Sequence, residues 1–189
     1  MKLDPSFLER FTAAAVDEGV ADVVFDRVVT PIGELLVALS KNGLCKVAFP
    51  EESHDEVLAK LARGVGPRVL VSHRETEAAR GSLAAYFEGE DVTFDLPIDF
   101  SLVRSDFGRR VLDALAEVPR GETTTYGKLA VAIGNPRASR ATGTALGRNP
   151  IPIVVPCHRV LQGSGSIGGY GGQPWRKEFL LKLEGALAR

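Results

Sequence analysis

Two cysteines in 189 residues, Cys45 and Cys157, are too few for the disulfide framework that stabilises small secreted folds. The start of the chain lacks the apolar core of a secretion signal, since Asp4 to Glu18 is acidic and amphipathic. No stretch approaches the roughly 18 consecutive apolar residues that span a bilayer. These absences predict a soluble, cytoplasmic protein in a reducing compartment, where a lone cysteine is free to react. Paired ligand spacing of the zinc kind is also missing among Cys45, His54, His73, Cys157 and His158. No metal and no cofactor is therefore expected. Nor does one sign of charge dominate: 23 Lys+Arg against 24 Asp+Glu give a net charge of −1, which by itself names no partner. Internal repeats and low-complexity linkers are absent as well.

What is present is a chain 44% hydrophobic and 25% charged, long enough for one domain or two small ones. Its charge is unevenly placed. Residues 1–100 carry 10 basic and 18 acidic side chains, whereas residues 101–189 carry 13 and 6. Such asymmetry points to a polyanion bound by the second half. In the first half, Asp4-Pro5 starts a helix carrying Phe7, Leu8, Phe11 and Ala15 at helical spacing, expected to pack on the outside of the domain it precedes. Three β-prone runs come next, Asp22–Thr30, Glu34–Ser40 and Leu44–Phe49, separated by Pro31-Ile32-Gly33 and Lys41-Asn42-Gly43. Asn-Gly is a strong hairpin signal. Residues 53–63 and 73–87 read as helices, and Arg68–Val71 and Val92–Asp99 as strands. The fold class is α+β, with an N-terminal domain over 1–100 built on a small antiparallel sheet.

The second domain, 101–189, is α-rich. Ser105 caps a helix whose face is Phe107, Val111, Leu115 and Val118, ended by Pro119 and Gly121. Thr125 caps a second, Tyr126–Ile133, closed by Gly134. Asn135-Pro136 offers a cap and a first-turn proline for a third, running to Leu146. Two helices joined by so short a glycine-containing turn form a helix-turn-helix candidate. An apolar run over Ile151–Val155, read as a strand, a Gly-rich loop and a last helix from Pro174 to Leu187 complete the chain.

Two sites stand out. On the third helix Arg137 and Arg140 lie among Ala138, Ser139, Ala141, Thr142, Gly143, Thr144 and Ala145. A helix that reads the major groove carries long polar side chains, whereas this surface is nearly bald. Small residues let a backbone approach a minor groove closely, with one long side chain left as a wedge. Tight packing against a neighbouring helix explains the same composition, and both readings stay open. The second site is Pro156-Cys157-His158-Arg159-Val160. A free cysteine is commonly a buried small hydrophobe, but neighbouring histidine and arginine, and a helix N-terminus after Pro156, favour the thiolate. Adjacent side chains diverge, so a water between the imidazole of His158 and the thiol is the economical link. A carboxylate is then wanted to hold the imidazole. Glu184 and Glu178 are the two acids after Glu122, and spacing does not choose between them. Gly163-Ser164-Gly165-Ser166-Ile167-Gly168 matches a dinucleotide fingerprint only formally, because more glycines come where a helix must open. Cys45, in a hairpin strand, reads as structural.

The run Asn149-Pro150-Ile151-Pro152-Ile153-Val154-Val155-Pro156-Cys157-His158-Arg159-Val160 closely resembles the active-site signature of the O6-alkylguanine-DNA alkyltransferases. The likeness extends from Phe107 to Gly185, with a weaker echo at Thr30-Pro31-Ile32-Gly33. It implies direct repair of O6-alkylguanine in duplex DNA by irreversible transfer of the alkyl group to Cys157, without a cofactor, and leaves open whether O4-alkylthymine is also a substrate. It further implies that His158 acts through water as the base, with Glu184 orienting it, and that Asn149 hinges the turn carrying the cysteine. Tyr126 would rotate the nucleotide and donate to the departing guanine. Arg140 would be the finger entering the minor groove, on a DNA-binding surface shared with Arg137, Ala141 and Thr144. The carbonyls of Cys157 and Val160 would accept from the guanine amine, Tyr170 and the Gly171 N–H would contact the ring and O6, and Pro152 would line the pocket. Alkylated double-stranded DNA is the implied partner, with self-association on DNA left open and no membrane involved. Gly171 stands where many relatives carry serine, and Gln173-Pro174-Trp175 is unusual beside the pocket. Two rivals remain on the residues alone: a Cys-His-Glu hydrolase, which leaves the bald helix unexplained, and a non-catalytic DNA-binding protein, which leaves the thiol's surroundings unexplained.

Overall fold

A computed structural model describes residues 5–169 and 173–187. The chain divides into two compact units. One comprises the described residues up to Glu88 with Val92–Leu102; the other comprises Gly89–Asp91 and the described residues from Val103 onward.

In the first unit, α1 (Pro5–Asp17) precedes β1 (Val23–Thr30), β2 (Gly33–Ser40) and β3 (Gly43–Ala48). Then come α2 (His54–Gly64), β4 (Val69–Val71) and α3 (His73–Phe87). The sheet order is β3-β2-β1-β4. β1 and β2 form a hairpin closed at Thr30 and Gly33, where the Thr30 hydroxyl donates to the Gly33 carbonyl at 2.6 Å. Leu35, Leu36, Val37 and Ala38 are all buried, so both faces of β2 are covered. Phe25, Leu36, Ala38 and Cys45 share one face with Val57 and Leu61 of α2, and α3 packs along β1 and β2.

Two expectations for this unit need correction, while the expected antiparallel sheet is present in β1–β3 and gains β4 as a short edge strand parallel to β1. The α2 crossover brings the chain back in the direction of β3, which antiparallel pairing through β2 makes the direction of β1 too. Val92–Asp99 is no strand: its one bridge joins Ile98 to Leu44. Pro97 has no N–H to donate, and the segment is held at its end by Asp99, which accepts from Ser40 and Ser101. Gly43 is required there, since its φ is +127° and a Cβ would fall 2.0 Å from the Pro97 carbonyl oxygen. On α1, Thr12 and Ala15 face inward, whereas Phe7 and Phe11 are 47% and 55% exposed and stack on each other at 6.5 Å.

The second unit begins with α4 (Asp106–Ala116), whose cap is Ser105, its hydroxyl accepting from the Gly108 N–H. Val111, Leu112 and Leu115 are its buried face; the helix ends before Val118, which lies beyond it. Thr125 caps α5 (Tyr126–Ala132) by accepting from the Lys128 N–H at 3.2 Å. The third helix, α6, spans Ser139–Leu146 and starts later than expected. The Asn135 carbonyl accepts from the Ala138 N–H and closes a turn, so Pro136 and Arg137 belong to that turn and not to the helix. Ile151–Val155 is irregular rather than a strand. Pro152 supplies no donor, and Ile153 has a φ of +76°, strained for a β-branched residue. A two-residue parallel pairing joins β5 (Thr124–Thr125) to β6 (Val160–Leu161), and α7 (Pro174–Leu183) closes the unit.

Thr142, on the buried face of α6, has a hydroxyl with no hydrogen-bond partner among the described residues. Valine has the same shape and nearly the same helix propensity without that desolvated hydroxyl. Thr142→Val is therefore expected to stabilise the protein by about 1 kcal/mol, a few degrees in Tm. Thermal unfolding measures it, and an unchanged or lower Tm would mean the hydroxyl is satisfied in solution.

Candidate active site

Cys157 opens a 3-10 turn, Cys157–Arg159, directly after Pro156, and its side chain is half-buried. The turn is braced from below by Asn149. Its Oδ1 accepts from the Ile151 N–H at 3.0 Å, which fixes the amide orientation. Nδ2 then donates to the Val155 carbonyl at 2.8 Å and to the Cys157 sulfur at 3.2 Å. A donor aimed at sulfur favours the thiolate over the thiol. The strained Ile153 lies within the segment that Asn149 spans, which suits a rigidly presented side chain.

His158 points the other way, into the protein, and is fully buried. Its Nε2 meets Glu184 Oε1 at 2.9 Å. Glu184 caps the C-terminus of α7, followed by Gly185 at φ +76°. The same carboxylate receives two bonds from Arg159, Nη2 to Oε1 and Nε to Oε2, each 2.8 Å. Burial alone would raise the Glu184 carboxyl, but hydrogen bonds from His158 and Arg159 outweigh it and hold the group well below the usual carboxylate range. The carboxylate therefore accepts, and Nε2 of His158 donates. Burial pushes the imidazole below its ordinary value against the opposing pull of Glu184. Of the two acids left open by spacing, Glu184 reaches His158, while Glu178 pairs with Lys182 at 2.9 Å on the outer side of α7.

Tyr126 is the first residue of α5, directly after the β5–β6 pairing that ties it to the residues following the cysteine turn. Burial raises its phenol above the ordinary value, and the Cys157 charge adds to this, so the hydroxyl keeps its proton. A Cβ on Gly143 of α6 would lie 3.6 Å from the Tyr126 ring. Close helix packing thus accounts for part of the bald helix. The rest is a surface: Arg137, Arg140, Ala141, Thr144 and Arg148 are exposed, and Thr144 turns its hydroxyl back onto the Arg140 carbonyl. Pro152 and Val160 are buried. Tyr170 and Gly171 lie outside the described residues. Cys45 is fully buried, its sulfur against the Ala38 carbonyl, and burial pushes its thiol up to about 12. Such a thiol is inert at neutral pH. The formal dinucleotide fingerprint is an irregular loop over its described residues, with no helix opening from it.

Reading the sequence missed Lys177. It is fully buried, donates to the Val160 carbonyl, and is lowered by burial to about 8 while the Cys157 charge pulls it back up. A signal existed: Arg176, Lys177, Leu180, Leu181 and Glu184 recur at the spacing of one helix face, and three charged residues on an otherwise apolar face mark a built site.

This arrangement has counterparts. Residues 106–186 match the family described as 6-O-methylguanine DNA methyltransferase, DNA binding domain, and residues 24–100 match its ribonuclease-like domain. The methylated-DNA-protein-cysteine methyltransferase of Methanosarcina acetivorans is 44% identical over 160 residues, 83% of this chain and 95% of that protein. The chain belongs to this family. The Mycolicibacterium paratuberculosis methyltransferase is 55% identical over 155 residues, 82% of this chain and 88% of the relative. A crystal structure of Mycobacterium tuberculosis OGT in complex with DNA superposes with a TM-score of 0.72 at 36% identity, covering 86% of this chain and 93% of that one. The α+β architecture expected from the sequence is the architecture of these methyltransferases. An acceptor that is a protein cysteine makes the methyltransferase its own second substrate, so each molecule acts once. The segment before residue 24, including α1, lies outside both matched regions. No helix among the described residues is long and apolar enough to cross a membrane.

Proposed function

We propose that this methyltransferase repairs O6-alkylguanine in duplex DNA by transferring the alkyl group to Cys157, and that residues 101–189 form the domain that binds DNA and accepts the alkyl group. The reading rests on one observation above all: a half-exposed sulfur receiving a hydrogen bond from Asn149, on the same short turn as a fully buried imidazole held by Glu184. The thiol proton passes through water to Nδ1 of His158, because Nε2 is committed to Glu184. The thiolate then attacks the alkyl carbon, the S–C bond forms as the C–O6 bond breaks, and the electron pair leaves on guanine. Tyr126, which keeps its proton, donates to the departing base. O4-alkylthymine offers the same bond to break. The backbone carbonyls of Cys157 and Val160 and the side chain of Pro152 form the pocket, with Tyr170 and Gly171 completing it.

A base inside the stack is out of reach, so the nucleotide must be extruded. Arg140 fills the space it leaves, while Arg137, Ala141 and Thr144 bring the α6 surface close to the minor groove. The work belongs in the cytoplasm. A duplex carrying a labelled O6-alkyl group tests the whole reading. Label fixed on Cys157 and stopping at one equivalent is expected; label released repeatedly would mean a hydrolase, and binding alone a non-catalytic protein.

Glu184 acts through His158 and not on DNA, which makes a separable prediction. Glu184→Gln is expected to slow single-turnover transfer by on the order of a hundredfold, the scale of a lost base, with duplex affinity nearly unchanged. Weaker duplex binding with intact chemistry would dismiss the relay.

A further inference from the structure

Resting on the reading of Cys157 and His158 given above, we propose that Arg159 is a positioning residue for alkyl transfer. It keeps the Glu184 carboxylate a pure acceptor and so holds His158 as the neutral Nε2–H tautomer, with Nδ1 as the nitrogen that serves the thiol. The geometry is that of a fork. Nε and Nη2 of Arg159 engage one oxygen each of Glu184 at 2.8 Å, Oε1 is shared with Nε2 of His158 at 2.9 Å, and Nη1 is anchored on the Val118 carbonyl beyond α4. The side chains of Glu184 and His158 are fully buried, so water does not screen their charges.

Burial makes the charge balance decisive. A buried carboxylate facing only an imidazole is stabilised most when the imidazole is protonated, and an imidazolium has no lone pair to accept the thiol proton. Arg159 supplies the positive charge that Glu184 requires, so His158 need not. The charged groups facing the imidazole are Glu184 and Lys177 from α7, and Arg159 from its own turn. Both cations oppose protonation of the ring, but only Arg159 also orients the carboxylate. Consecutive residues thus divide the labour: Cys157 faces out, His158 faces in, and Arg159 reaches the same carboxylate from the other side.

The test is made on the full chain with isotope-labelled histidine. By NMR, His158 of the unsubstituted protein is expected to be neutral and protonated on Nε2 at pH 7. In Arg159→Met its titration is expected to move up by about one pH unit, the effect of losing a neighbouring cation. The acid limb of single-turnover transfer should move by the same amount, with a roughly tenfold loss on the acid side of that limb that disappears at higher pH. Arg159→Lys, which retains the charge, should return the titration most of the way. A folded Arg159→Met protein with an unmoved His158 titration, or a loss of the same factor at every pH, would overturn the proposal. So would an unsubstituted protein whose His158 is imidazolium or protonated on Nδ1 at pH 7, a result independent of whether any variant folds. Failure of the unsubstituted protein to take label from the duplex would reject the proposed function instead, and the His158 titration would still decide the role of Arg159.

Discussion

Replacing Cys157 with serine is expected to abolish alkyl transfer and leave duplex binding intact. Sulfur is the soft nucleophile, and at neutral pH a serine hydroxyl presents almost no anion, so the imidazole and the Asn149 donor have no thiolate to stabilise. Neither of those contacts reaches the exposed face of α6, where Arg140 and its neighbours lie, so affinity has no reason to fall. Label transfer and duplex affinity measured side by side decide the matter, and substantial transfer by the serine variant would remove Cys157 as the acceptor. Cys45→Ser is the internal control. Its sulfur lies fully buried against the Ala38 carbonyl, so the transfer rate of the folded variant should be nearly unchanged.

Arg140→Ala is expected to separate a finger from an ordinary phosphate contact. Loss of one phosphate-bound cation weakens binding on every duplex and lowers the salt slope by about one. Loss of a side chain that replaces an extruded base penalises flipping instead, by about 3 kcal/mol, or roughly a hundredfold in duplex repair rate. A free O6-alkylated guanine base needs no flipping. It should react with Arg140→Ala almost normally while the duplex reacts slowly. Equal losses on free base and duplex would mean that Arg140 supports the pocket and does not stand in for the base.

Much of the local structure was legible because it obeys rules that reach only a few residues. Ser105 and Thr125 both cap the helices expected of them, since a hydroxyl and an N–H three residues on settle that without help. The same range explains the errors. Asn135-Pro136 has the composition of a helix start, but the Asn135 carbonyl closed a turn onto Ala138 and delayed α6 to Ser139. Ile151–Val155 and Val92–Asp99 are β-prone by composition, yet each contains a proline and neither finds a continuous partner strand. Propensity proposes a strand, and pairing decides it.

Chemistry divided along the same line. Adjacent residues alone mark one chemically favoured cysteine, flanked by a histidine and an arginine after a proline. Composition likewise carries the charge asymmetry and the small residues of α6. Which carboxylate serves His158 was settled by packing. Glu184 lies 26 residues away, and the register of α7 puts it on the buried face with Lys177, Leu180 and Leu181 while Glu178 faces outward to Lys182. The same packing brought Arg159 onto Glu184, set Tyr126 beside the cysteine turn through the β5–β6 pairing, and buried Lys177 beneath Val160. The reason is physical: residue identity supplies the reactive groups, but protonation states depend on burial and on charges a few ångströms away, and those distances exist only after the helices have packed.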